Sequence, residues 1–212
     1  MPSLNPMLLQ PYPTAALEAL LPTALWQAIA LRLSTEASES QHPIQPPVQP
    51  PVWQVCLPQE ALPHLCVALA TVWHPKDIVA LVGEVGAGKT TLTHTLGEVW
   101  HCPQRITSPT FNLLNDYDLI HPRTQEALPL YHGDVYRLID TPANVQDAWL
   151  GEWLERAEAH PSLSLIEWAE ALPSVLAHCT TVLHIQPDPK APETHRLYTG
   201  FRLLPVIPTI HL

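Results

Sequence analysis

The run Gly83-Glu84-Val85-Gly86-Ala87-Gly88-Lys89-Thr90 satisfies G-x-x-x-x-G-K-[ST] at every fixed position. The chemistry such a run serves is the binding of a nucleoside triphosphate with magnesium. Glycines let the backbone wrap tightly, so that several N–H groups converge on one phosphate. A helix that starts at the end of the run adds its positive dipole end. Lys89 is placed to reach the β- and γ-phosphates, in binding and in catalysis, and the Thr90 hydroxyl to ligate Mg²⁺.

Two carboxylates qualify as partners of that loop. Asp134 follows the apolar stretch 128–131, and Glu167 ends the apolar run 163–166. A carboxylate at the C-terminal end of a strand lies where ligands bind in open α/β sheets. Either can hold the metal or orient an attacking water, and the sequence does not divide the two jobs between them. His132, two residues before Asp134, shares its strand face if pairing extends that far. Arg137 suits pairing with a carboxylate better than phosphate neutralisation, and Trp168 suits packing.

These residues need a scaffold, and the chain supplies its pattern. Residues 78–82 form a continuous apolar run, suited to a strand buried on both faces, and 87–100 read as the following helix. Further strands are predicted at 52–57, 110–119, 128–136, 163–166 and 181–185, with a last edge strand at 196–204; helices are predicted at 59–73 and 144–160. Strands and helices alternate, which predicts an α/β fold: a three-layer sandwich of the P-loop NTPase kind with a mainly parallel central sheet.

Composition separates residues 1–51 from residues 52–212. Of 212 residues, 25 are proline, more than one compact domain of ordinary composition holds. The stretch STEASESQHPIQPPVQPP (34–51) has little to bury and reads as a partly disordered, proline-rich linker. Before it, 14–33 is rich in Ala and Leu and helix-prone except at Pro22, as a loose extension or a docking helix. The net charge of −10, with only 10 Lys and Arg, argues against a stand-alone nucleic-acid binder. Cys56, Cys66, Cys102 and Cys179 form no C-x-x-C pair, so zinc is not expected. They read as reduced, intracellular thiols. No apolar run is long enough for a bilayer, and residues 1–10 lack a basic signal region, so no membrane contact and a cytoplasmic location are expected.

Several triphosphate hydrolases are excluded. The chain has no N-K-x-D guanine-reading motif, no well-placed D-x-x-G and no LSGG-like signature. A P-loop kinase of a small metabolite remains the alternative, although no arginine-rich lid segment stands out. Four ordered segments, LVGEVGAGKTT (81–91), SPTFNLLNDY (108–117), YHGDVYRL (131–138) and IEWAE (166–170), resemble the TsaE (YjeE) family. The resemblance covers roughly 52–204.

The resemblance implies an ATPase, weak alone, that supports TsaD and TsaB homologues as TsaD transfers a threonylcarbamoyl group to the tRNA adenosine beside the anticodon. ATP and Mg²⁺ are the implied cofactors, and tRNA is met indirectly through the complex. ATP would drive association and turnover of that complex. It implies phosphate-binding roles for Gly83 through Thr91, and it makes Thr110, in SPTF, similar to a switch threonine that senses Mg²⁺ or the γ-phosphate. Asp134 and Glu167 match its acidic positions, and Glu152, beside Gly151, its Gly-acidic segment. Two departures are Glu84, where aspartate is common, and Gly133, where a bulkier residue is frequent and whose presence would loosen the strand end at Asp134.

Overall fold

The computed structural model describes residues 10–11 and 52–203. The helix-prone stretch 14–33 and the linker 34–51 lie outside the described residues. The strands are β1 (Gln10–Pro11), β2 (Val52–Pro58), β3 (Ile78–Val82), β4 (Leu114–Ile120), β5 (Ala127–Asp134), β6 (Leu163–Glu167), β7 (Thr181–Pro187) and β8 (His195–Arg202). The helices are α1 (Leu62–Leu69), α2 (Lys89–Val99), α3 (Ala143–Ala159) and α4 (Pro173–Leu176), with 3-10 turns at Gln59–Ala61, Tyr136–Leu138 and Ala169–Ala171.

One sheet runs in the order β1-β2-β8-β7-β3-β6-β5-β4. Its centre, β7-β3-β6-β5, is parallel. Both flanks are antiparallel: β4 pairs back on β5, and β8 on β7, with β2 beyond β8. The sheet is therefore mixed, parallel only where crossover helices cover it. The last strand is not an edge, because Val52↔Phe201 through Pro58↔His195 pair its outer side with β2.

Alternation along the central strands builds two cores. Val79 and Leu81 of β3, Leu163 and Leu165 of β6, and Leu183 and Ile185 of β7 meet α1 and α2 through Leu65, Leu69, Leu92, Leu96 and Trp100. The opposite-facing Ala80, Val82, Ile166 and Val182 meet Trp149 and Trp153 of α3 and Val175 and Leu176 of α4. A period of two in each strand thus makes the three layers. The buried Trp153 donates its indole N–H to Ser164 Oγ at 3.2 Å, which pays the polar cost of a serine inside β6.

The helix predicted at 59–73 is shorter, a 3-10 turn Gln59–Ala61 followed by α1, which ends at Leu69, and two further boundaries that move bear on function. The segment 110–113 is a turn, closed by Leu113 N–H to the Pro109 carbonyl (2.6 Å) with Leu113 at φ 65°, so Thr110 is not a strand residue. β5 stops at Asp134 and enters a 3-10 turn instead of running to 136. Gly133 does not loosen that end. A Cβ there would lie 2.8 Å from Ile166 Cδ1 and 3.3 Å from the Trp149 ring, so glycine is what lets β5, β6 and α3 close up. Among the described residues, no helix is long and apolar enough to cross a membrane.

The α1–α2 layer holds the helix that follows the loop, and Trp100 ties it. Its ring is fully buried, and its N–H donates to the Cys66 carbonyl of α1 at 2.9 Å. Trp100→Ala should lower the unfolding free energy by about 3–5 kcal/mol, read from urea unfolding followed by circular dichroism. A loss under about 1 kcal/mol would show that the layer is not fastened there.

Candidate functional site: a phosphate loop flanked by two threonine–carboxylate pairs

β3 delivers the loop and α2 receives it. Gly83 has φ 152°, and a Cβ on it would stand 2.3 Å from the Ile185 carbonyl oxygen of β7. Backbone cannot yield as a flexible side chain can, so this glycine is fixed by close approach. Gly88, at φ 107°, caps α2, whose first residues are Lys89 and Thr90. The sequence places loop, strand and helix as the structure does.

Lys89 is buried at 4% exposure. Its Nζ donates to the Gly83 carbonyl at 2.6 Å and to the Glu84 carbonyl at 3.1 Å. It also sits 4.0 Å from the centroid of the Trp168 ring. Burial lowers the Lys89 pKa, and the carboxylates of Glu167, Glu170 and Asp134 act in the opposite sense. The ammonium is thus held at the base of the loop by two carbonyls and an aromatic face.

The register of two parallel strands sets the acids side by side. Asp134 of β5 is the partner of Glu167 of β6, and both are buried at 4% exposure. Each binds one threonine. Thr90 Oγ1 donates to Glu167 Oε1 at 2.8 Å, and Thr110 Oγ1 donates to Asp134 Oδ2 at 2.6 Å. His132 Nε2 also lies 2.9 Å from Glu167 Oε1, which requires the ring proton on that nitrogen. Asp134 Oδ1 accepts the Tyr136 backbone N–H at 2.9 Å, a bond made possible by the turn that ends β5. The Asp134 N–H donates to the Leu113 carbonyl at 3.0 Å and so ties the Thr110 turn to the strand end.

Val85, Gly86, Gly88, Lys89, Thr90, Thr91, Thr110, Asp134, Tyr136, Glu167 and Trp168 line one cleft of ≈ 360 Å³. The structure thus gathers the loop, both acids and both threonines. Of the remaining loop residues, Gly83, Glu84 and Ala87 take part through backbone; Ala87 is buried and its N–H donates to the Glu84 carbonyl at 3.1 Å.

Other sequence expectations fall elsewhere. Glu152 is on the surface and pairs with Arg156 at 2.6 Å. Arg137 lies 5.8 Å from the centroid of the exposed Phe111 ring and is in none of the ion pairs among the described residues. Trp168 packs as expected, against the core on the α3–α4 side of the sheet, and it also meets Lys89 and, at 5.1 Å, Tyr136. Sequence reasoning gave no role to Tyr136 or Glu170. The Glu170 carboxyl is pushed up to about 7 by burial, opposed by its own backbone N–H, by Lys89 and by the Gly83 N–H. The acid three residues after Glu167 was visible as spacing; its return beneath the loop was not.

The same stretch of chain is matched by known proteins. The profile described as threonylcarbamoyl adenosine biosynthesis protein TsaE matches residues 58–196. A tRNA threonylcarbamoyladenosine biosynthesis protein TsaE from Nostoc sp. is 36% identical over 115 residues, 54% of this chain and 66% of that one. The Bacillus subtilis protein of the same name is 34% identical over 122 residues, 57% of this chain and 67% of the relative. That from Streptomyces coelicolor is 38% identical over 102 residues, 48% of this chain and 63% of the relative. The alignments therefore span about two thirds of each relative's length. The crystal structure of Bacillus subtilis YdiB superposes with a TM-score of 0.47 at 25% identity, covering 72% of this chain and 88% of that one. With the profile running from the end of β2 into β8, across the loop and both threonine–carboxylate pairs, the chain belongs to the TsaE family.

Proposed function

We propose that this chain binds ATP with Mg²⁺ in the loop cleft, hydrolyses it slowly alone, and supports TsaD and TsaB homologues in threonylcarbamoylation of the tRNA adenosine beside the anticodon. The observation that carries the reading is the cleft itself: a buried Lys89 at the loop base, with Thr90–Glu167 and Thr110–Asp134 on its walls. The family membership supplies the process. The net charge of −10 favours contact with tRNA through partner proteins, and the reading carries a cytoplasmic location with it.

The donor set fits magnesium. Two hydroxyls and two carboxylates are hard oxygen ligands, the kind Mg²⁺ takes alongside phosphate oxygens and water. Among the described residues no group of three or more His, Cys, Asp or Glu is arranged for a metal, so nucleotide oxygens would have to complete the shell. When bound, the ion would neutralise charge on the phosphate oxygens. Thr90 and Glu167 touch, so we assign them jointly to holding it. Asp134 is tied to the turn that carries Thr110, so we assign it to the water and to sensing the γ-phosphate.

Of the arginines that a small-metabolite kinase would need in a lid, two are engaged elsewhere. Arg156 is taken by Glu152, and Arg196 donates to the Pro192 and His195 carbonyls.

Lys89→Ala should weaken ATP binding roughly 30- to 150-fold, the worth of a charge-assisted hydrogen bond of about 2–3 kcal/mol. Calorimetry giving an unchanged affinity would refute the site. Glu167→Gln should raise the Mg²⁺ concentration needed for half-maximal turnover. Asp134→Asn should leave that requirement in place and lower turnover about 10²- to 10⁴-fold; the reverse pattern would exchange the two roles. ATP turnover should rise when TsaB and TsaD homologues and tRNA are added, and a chain that hydrolyses ATP fast and ignores all three would overturn the proposed process.

A further inference from the structure

One acid beside the cleft, Glu170, takes no part in holding the metal or the water. Glu170 sits in the 3-10 turn Ala169–Ala171, which follows β6 and brings its carboxyl near the Gly83 N–H and Lys89 of the phosphate loop. The turn is fixed from above, since the Trp168 N–H donates to the Leu81 carbonyl of β3 at 3.3 Å. Glu170 Oε2 is buried and has no hydrogen-bond partner. The Gly83 N–H and the Lys89 ammonium both lie near enough to favour the ionised carboxyl, and burial opposes them. Gly83 is also the residue whose carbonyl binds Lys89 Nζ. Glu170 thus addresses the loop at the same glycine, from the other polar atom.

Its surroundings hold few competing charges. The turn packs against β3, sequence IVALV, and α4, sequence PSVL, neither of which carries a charged side chain. β7, which pairs with β3, carries His184, which burial holds neutral, with its pKa lowered to about 4. From α2 comes Lys89, with Asp134 and Glu167 acting on that same ammonium. The exposed Glu84 belongs to the loop itself. Lys89 is therefore the cation that Glu170 faces, and a triphosphate would claim that same cation.

We propose that Glu170 is a positioning residue of the phosphate loop, a carboxylate that holds Gly83 and Lys89 while the loop is empty and takes up a proton when an anionic triphosphate enters. The inference rests on the loop cleft being the triphosphate site. The anion draws the ammonium toward itself and adds negative potential, and both changes disfavour a second, poorly solvated negative charge beneath the loop. The proton comes from solvent and neutralises the carboxyl; no bond other than O–H forms. Because the empty protein's carboxyl sits near neutrality, the uptake falls where it can be measured. By linkage, affinity for the triphosphate is full when the carboxyl is already neutral and declines as pH rises through about 7.

The test is calorimetric titration of the full chain with Mg²⁺ and a non-hydrolysable ATP analogue, from pH 6 to pH 8.5, in buffers of different ionisation enthalpy. The wild-type chain should take up a fraction of a proton near pH 7, and its Kd should rise roughly five- to tenfold between the ends of that range. Glu170→Gln keeps an acceptor for the Gly83 N–H and removes the charge. It should bind with the wild-type Kd at pH 6, more tightly than wild type at pH 8.5, and with less proton uptake. Titration of the analogue itself is common to both proteins and cancels. Equal uptake and parallel pH profiles in the two proteins would overturn the proposal, as would a uniform loss of affinity in Glu170→Gln at every pH, which marks a merely structural side chain. Absence of binding in the wild-type chain would instead remove the loop reading on which the proposal stands.

Discussion

The constraint on which the site depends is the burial of one ammonium group. Lys89 is taken almost wholly out of water, where an unpaired charge costs several kcal/mol. Two loop carbonyls, one aromatic face and three nearby carboxylates compensate it. To provide those carbonyls the loop must curl back on its own first residue, which is why Gly83 must press against the β7 backbone. The fold is what makes that approach possible: β3 runs between β7 and β6, so the loop leaves the sheet at its crowded middle.

The same centre sets the acids. Parallel neighbours are about 4.8 Å apart across a sheet. The Asp134↔Glu167 pairing therefore brings two carboxylates to one height, close enough to repel unless each has its own donors. Each does. Glu167 shares one oxygen between Thr90 and His132, while Asp134 has Thr110 on one oxygen and the Tyr136 N–H on the other. The threonines come from opposite sides, Thr90 from the helix and Thr110 from the turn. Anything that moves the Thr110 turn must break a bond to Asp134, so that turn is mechanically coupled to an acid of the cleft.

Much of this was legible in the sequence because it is local or periodic. The loop is a contiguous pattern, and 78–82 and 163–166 match β3 and β6 closely because strands buried on both faces read as unbroken apolar runs. The acids stood at the ends of such runs. What was illegible depends on neighbours distant in the chain. The last strand looks like an edge until β2, more than a hundred residues earlier, is laid beside it. Gly133 looks like a weak point until Ile166 and the Trp149 ring are seen to occupy the space of its missing Cβ. Thr110 looks like a strand residue because a β-branched residue beside an alternating run carries no mark of the turn that Leu113 closes. Glu170 carries no assigned role in the sequence, since spacing alone does not report which carboxyl oxygen is denied water.

Trp168 shows how the pieces depend on one another. It has φ 64°, a conformation that costs a residue with a side chain about 1–2 kcal/mol. Nothing local favours it, since β6 could have continued in extended form. What holds it is contact on both sides: the ring covers the Lys89 ammonium at 4.0 Å and meets Tyr136 at 5.1 Å, while its N–H is bonded to the Leu81 carbonyl. The left-handed residue turns the chain sharply after Glu167, and that reversal carries Glu170 back beneath Gly83. A cation–π contact of about 0.5–2 kcal/mol is comparable to the strain it offsets. The lysine that the loop buries thus stabilises the turn that brings Glu170 to it, and the acid beneath the loop and the cation within it are consequences of one backbone reversal.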